Sequence, residues 1–116
     1  MTIRKPEVSW DLFNKLDLRV GTVERAECFP LARNPAIKLW LNFGPEFGVL
    51  KTSAQITDHY QPEALLGRQL VAVVNFPPKQ IANFMSECLV LGAIEEDGGV
   101  VLIGVTSTVT NGLSVG

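Results

Sequence analysis

The sequence predicts an all-β chain folded as a small barrel, on three observations. Apolar and polar residues alternate in short runs, as in Lys38-Leu39-Trp40-Leu41-Asn42-Phe43, rather than recurring at helical spacing. Turn signals punctuate these runs: Gly44-Pro45-Glu46-Phe47-Gly48, Pro77-Pro78, Asp97-Gly98-Gly99 and Asn111-Gly112. Five or more such strands with little helix must share 116 residues, and a small barrel is the economical way to pair them all.

Each element follows from local chemistry. Ser9 before Trp10-Asp11-Leu12-Phe13-Asn14-Lys15-Leu16 predicts a short capped helix, with Asp11 at its positive end and Leu12 and Leu16 as an apolar pair. Trp10 and Phe13 add apolar faces that so short a helix cannot hide easily. It either docks on a partner subunit or plugs its own domain. From Asp17 onward the pattern is β: Leu18, Val20, Thr22-Val23 and Ala26 alternate around Gly21, which predicts a bulge or tight bend. Lys38–Phe43 and Val49–Ser53 flank a turn and read as a hairpin. Pro62 opens a helical turn that Gly67 stops, and it lies between the third and fourth strands. Gln69–Phe76 and Cys88–Ile94 are apolar strands, and Val100–Val105 follows the Asp97-Gly98-Gly99 turn. A helical insertion at that place fits a five-stranded Greek-key barrel of the OB type, with a short N-terminal helix and a C-terminal β extension. No repeat or linker divides residues 1–116, so one domain is expected, with residues 1–15 as a helical extension.

Composition narrows the function. Hydrophobic residues make up 47% of the chain and the mean hydropathy is +0.22, which predicts apolar surface buried against a partner, in the first instance a homodimer. The net charge is −2 but unevenly spread. Residues 33–82 hold five basic groups (Arg33, Lys38, Lys51, Arg68, Lys79) against three acidic ones (Glu46, Asp58, Glu63). Residues 83–116 hold four acidic groups (Glu87, Glu95, Glu96, Asp97) and no basic one. A general electrostatic grip on nucleic acid is therefore excluded, and anion binding must be local to the middle segment.

Catalytic machinery is missing from the sequence. His59 stands alone in a polar stretch, with no nucleophile elbow nearby, and is expected in solvent. Phosphate loops, dinucleotide fingerprints and zinc spacings are absent, so neither an enzyme nor a cofactor or metal is expected. Glu95-Glu96-Asp97 reads as a solvated turn. Cys28 and Cys88 lack CxxC spacing and are expected as reduced core residues. Without a signal-like or membrane-spanning apolar run, the chain reads as cytoplasmic, with no membrane insertion.

Binding is better marked. Between two apolar runs, residues 75–87 carry Phe76, Phe84, Met85, Lys79 and the amides Asn75, Gln80 and Asn83 where solvent-facing residues would be ordinary. Phe76, Phe84 and Met85 could form an apolar floor that stacks bases or seats apolar peptide side chains. Alternatively, Phe76 and Phe84 plug the barrel mouth.

Several runs resemble one family. Asp17-Leu18-Arg19-Val20-Gly21, Ala36-Ile37-Lys38-Leu39, Ser53-Ala54-Gln55-Ile56, Leu66-Gly67, Asn75-Phe76-Pro77-Pro78 and Ser86-Glu87 are similar, in that order, to the tRNA-binding-domain family. That group includes the CsaA proteins, the C-terminal part of methionyl-tRNA synthetases and structure-specific tRNA-binding proteins. Phe29-Pro30-Leu31-Ala32-Arg33, Ala72–Pro78 and Ser86–Gly92 resemble the stand-alone CsaA chaperones most. The resemblance implies an OB-fold homodimer that holds unfolded or precursor polypeptides in protein export, with an export component as a further partner. The N-terminal helix and C-terminal tail would be its dimer elements.

tRNA is the alternative ligand of the same loop surface. Relative to tRNA-binding members, Gln80 stands in a lysine's place, Ala82-Asn83 replace a basic residue and a glycine, and Cys88-Leu89 replace Gly-Met. Each lost cation weakens phosphate binding, whereas Asn83 can keep the turn by taking positive φ. In the polypeptide reading Phe76, Phe84 and Met85 make the contact and Arg33, Lys51 and Lys79 rim it. In the tRNA reading those cations meet phosphates while Asn75 and Ser86 fix the backbone. Ser53 and Gln55 complete the candidate set in both.

Overall fold

The computed structural model describes residues 3–116, so Met1 and Thr2 of the predicted N-terminal extension lie outside the described residues. In chain order the elements are α1 (Trp10–Asn14), β1 (Leu18–Cys28), β2 (Ile37–Asn42), β3 (Val49–Ala54), α2 (Pro62–Leu65), β4 (Gln69–Val73), β5 (Lys79–Ile81), β6 (Phe84–Ser86), β7 (Leu89–Val90), β8 (Gly92–Ile94), β9 (Val100–Leu102) and β10 (Ser114–Val115). Neighbours in the main sheet run β3-β2-β1-β4-β7, all antiparallel, with β10 added to the start of β1. This is the predicted all-β barrel, nearly closed.

β1 organises it. Its second half pairs with β2 and its first half with β4, and Thr22 sits where the two meet, opposite both Asn42 and Gln69. The register shifts between Val23 and Arg25, so the irregularity lies at Glu24 and not at Gly21 as the sequence predicts. Gly21 has a different reason for being glycine. A Cβ there would lie 2.7 Å from Cε1 of Phe43, whose ring fills the core beneath it. The inward alternate residues of β2 (Ile37, Leu39, Leu41) meet Val23, Leu65, Leu70 and Ala72 in that core, as a strand period of two requires.

The predicted helices form where the caps place them. Ser9 Oγ accepts from the Leu12 amide at 3.2 Å, although α1 ends at Asn14, short of Leu16. α2 falls between β3 and β4 with Pro62 in its first turn, and Gly67 follows at φ +82°. Two apolar runs are shorter than predicted. β4 stops at Val73, ahead of the Pro77-Pro78 pair. The Cys88–Ile94 run breaks at Leu91, whose amide reaches Val71 of the main sheet while its carbonyl accepts from Ile103. That residue hands the chain from the barrel to the β8–β9 hairpin.

Residues 79–86, read as a loop from sequence, form the two-residue hairpin β5–β6, with Ile81 opposite Phe84. Its positive φ falls on Ala82 (+51°), not on Asn83. In this hairpin the first turn position is the one driven left-handed, the sign pattern of a type II′ turn. Cys88 is buried as predicted. Cys28, the last residue of β1, is instead exposed, because the strand there leaves the packed layer.

If Phe43 is what excludes a side chain at residue 21, Gly21→Ala overpacks the core and should lower unfolding stability by about 1–3 kcal/mol in urea titration. An unchanged midpoint would mean the ring has room to move.

Candidate functional site

The barrel closes where the chain following β6 returns to β3. The Glu87 amide donates to the Lys51 carbonyl at 2.7 Å, and a Glu87 carboxylate oxygen accepts from the Lys51 amide at 3.1 Å. Ser86 Oγ lies 2.9 Å from the hydroxyl of Thr52 and accepts from the Ser53 amide at 3.2 Å. Thr52 is buried within an apolar wall, so its hydroxyl needs that partner. Ser86 is thereby a rivet between β6 and β3.

The pleat of the β5–β6 hairpin decides which residues can act together. Lys79, Ile81, Phe84 and Ser86 share one face by register, and Gln80 and Met85 share the other. Phe84 and Met85 therefore cannot belong to one apolar floor, which corrects that sequence expectation. Phe84 is 7% exposed and packs with Phe29 and Ala36 in a cluster apart from the main barrel core, meeting the Phe29 ring edge-on at 5.5 Å and Trp40 at 5.8 Å. Met85 is 40% and Phe76 46% exposed.

Two surfaces flank this hairpin. The first is a groove of about 430 Å³ between β3 on one side and β7–β9 on the other. Its walls are Ile56, Ile81, Leu89, Ile94, Val100 and Leu102, and its polar margin is Ser53, Gln55, Lys79 and Ser86. A cavity of about 260 Å³ continues it through Lys79, Ser86 and Leu89 to Phe76 and Pro77. A mostly apolar lining with a few polar groups at one margin is the usual make-up of a ligand cleft. Five of the ten sequence candidates thus meet beside the hairpin: Ser53, Gln55, Lys79 and Ser86 in the groove and Phe76 in the cavity that continues it.

The second surface is the outer face of β1, β2 and β3. Arg25, Trp40 and Lys51 form one cross-strand row, and Glu27, Lys38 and Ser53 the next. The Arg25 guanidinium sits 4.3 Å from the Trp40 ring. Lys38 Nζ lies 4.7 Å from the Phe29 ring and 5.4 Å from Phe84, and Lys51 Nζ 5.1 Å from Phe84. Such cation–aromatic contacts hold positive charge close to the rings. Arg25 also pairs with Glu27, whereas Lys38 and Lys51 have no carboxylate at ion-pair distance among the described residues. Of these only Lys51 was a sequence candidate. Lys38 and Trp40 were legible as the outward positions of Lys38-Leu39-Trp40-Leu41, since both leucines point inward.

The remaining candidates lie apart. Arg33 lines a shallow depression with Phe29, Pro30 and Thr57, apart from the groove that Lys79 lines. Asn75 is occupied structurally: its side-chain oxygen accepts from the Asp17 amide at 2.9 Å and its amide donates to the Lys15 carbonyl at 2.7 Å. It ties the end of β4 to the N-terminal extension. Cys88, beneath the hairpin, has its thiol pushed up to about 12 by burial and then by Glu87, so it stays neutral.

Because Phe84 is support and Met85 surface, Phe84→Ala should cost about 3–5 kcal/mol of unfolding stability and Met85→Ala no more than about 0.5 kcal/mol. Equal losses in denaturant titration would contradict the assignment of faces.

Comparison with known proteins places this geometry. The chain resembles the chaperone CsaA of Bacillus anthracis str. Ames, with a TM-score of 0.91 and 50% identity over 96% of this chain and 100% of that one. A CsaA chaperone protein of Picrophilus torridus aligns with a TM-score of 0.88 and 44% identity over 95% and 100%. The methionine–tRNA ligase of Chlorobium chlorochromatii is 35% identical over 112 residues, which is 96% of this chain but 15% of the ligase. The chain thus spans about 15–16% of the length of the first curated relatives it matches, and their ligase activity belongs to those whole proteins. A family model described as a putative tRNA binding domain matches residues 18–114, and the chain belongs to that family.

Proposed function

We propose that the chain is a homodimeric chaperone that holds unfolded or precursor polypeptide in the groove beneath the β5–β6 hairpin. The observation that carries this reading is the groove itself: about 430 Å³, apolar along β7–β9, with Lys79 its one cation. A surface of that kind accepts apolar side chains of many sequences and gains most from burying them. Likeness to two CsaA chaperones over their full length supports it, and a role in export is part of the same proposal.

The homodimer rests on the N-terminal extension. Asn75 and the Val74–Asp17 backbone bond fix its base, yet α1 has no buried residue of its own. Trp10 is 84% exposed, and Ile3, Val8, Leu12, Phe13 and Leu16 are exposed with it. A second copy covering these groups would account for them.

One observation favours tRNA as a second ligand. Arg25, Lys38 and Lys51 present three cations over Trp40 and Phe84 on the outer face of the barrel. Phosphates would meet those cations, with bases against the edge of Trp40.

The two readings separate in solution. Equilibrium sedimentation should find a dimer. The protein should suppress light scattering by a chemically unfolded protein at low and high salt alike, and Leu89→Asp with Ile94→Asp should abolish that protection. A wild type that does not suppress scattering, but binds bulk tRNA with an affinity that falls steeply as salt rises, would overturn the chaperone reading in favour of the second.

A further inference from the structure

The outer wall of the groove is held by the segment between β3 and α2. That segment reaches the β8–β9 hairpin through two consecutive side chains. His59 Nε2 lies 2.5 Å from a carboxylate oxygen of Glu95, and the Tyr60 hydroxyl accepts from the Leu102 amide at 2.9 Å. Between these contacts Gly99 is buried. A Cβ on Gly99 would meet Glu95 Oε1, the His59 ring and Asp97 Oδ1, so the hairpin turn is seated directly under the pair. The same hairpin contributes Ile94, Val100 and Leu102 to the groove. What holds the turn therefore also holds the wall.

We propose that His59 and Glu95 form a proton-dependent clasp that fixes the β8–β9 wall of the groove when His59 is charged and loosens it when His59 is neutral. The groups facing His59 are anionic: Glu95 and Asp97 on the hairpin, and Asp58 on its own segment. Glu96 lies in the same turn. The cation on this side, Arg68, is engaged over the Tyr60 ring at 5.6 Å. The hydrogen bond to Glu95 and then its charge hold the His59 pKa above the ordinary 6.5, with Asp58 and Asp97 adding to them and desolvation opposing. A raised folded-state pKa gives the sign. The clasp is complete below the unfolded value of 6.5 while carboxylates remain ionised, and it is lost as pH rises through the raised value. Tyr60 and the strand pairs of β8–β9 keep the hairpin folded, so the change is one of local opening rather than of unfolding.

The inference does not depend on what the groove holds, and its test uses the unliganded full chain. Residue-resolved amide hydrogen exchange, corrected for intrinsic rates, is followed across the His59 titration, with the imidazole midpoint read by NMR. Protection of residues 92–102 should fall by about twofold or more through that midpoint, while β1 and β2 amides stay unchanged. Glu95→Gln should bring the His59 midpoint down towards 6.5 and leave the hairpin at the lower protection at every pH. Protection that is flat through the midpoint, or a pH response that persists in Glu95→Gln, would overturn the clasp. So would a His59 midpoint that Glu95→Gln does not move.

Discussion

Thr52 sets the constraint around which this barrel is organised. It is the one buried polar side chain among the described residues, and its hydroxyl would cost about 1–3 kcal/mol if left unsatisfied. The partner is Ser86, which lies 34 residues further along the chain. To reach it, the chain must leave the sheet after Val73, pass Pro77-Pro78, turn at Ala82 and come back antiparallel to itself. The Ser86 and Glu87 contacts then stitch β6 to β3 at Ser53 and Lys51, and the barrel closes at one end of that seam. Ala82 adopts a left-handed φ that a non-glycine residue ordinarily avoids, held there by a hairpin fixed at its base.

Closing the seam at one end leaves it open at the other, and the groove is that opening. β3 turns away towards α2 while β7 hands over to β8, so apolar side chains from both edges face a common space instead of each other. The hairpin roofs one part with Lys79 and Ile81, and its Phe84 reaches through to Phe29 and Trp40 on the outer face. The apolar groove and the cationic face thus meet along β3, where Ser53 belongs to both.

Features governed by neighbours in sequence were legible. Ser9 caps α1, Pro62 and Gly67 bracket α2, and β2–β3 pair across the Gly44–Gly48 turn, because each depends on a few adjacent dihedrals and hydrogen bonds. Features set by distant contacts were not. Gly21 reads as a bulge until Phe43 is seen against it. Ser86 and Asn75 read as ligand groups because nothing local shows that Thr52 or the Lys15–Asp17 backbone claims them. Phe84 and Met85, adjacent in sequence, looked like one patch; once residues 79–86 are known to be strands, adjacency itself puts them on opposite faces. The cationic face was hidden for a similar reason. Arg25, Lys38 and Lys51 are scattered along the chain and become one surface only through strand register.

The central claim, that polypeptide occupies the groove and not the outer face, is tested most directly by mapping amide chemical shifts of the full chain as a chemically unfolded polypeptide is added. The account predicts perturbations concentrated at Ser53, Gln55, Lys79, Leu89 and Ile94, with Arg25 and Trp40 unmoved. Perturbations confined to Arg25, Lys38, Trp40 and Lys51 would contradict it and make the outer face the site.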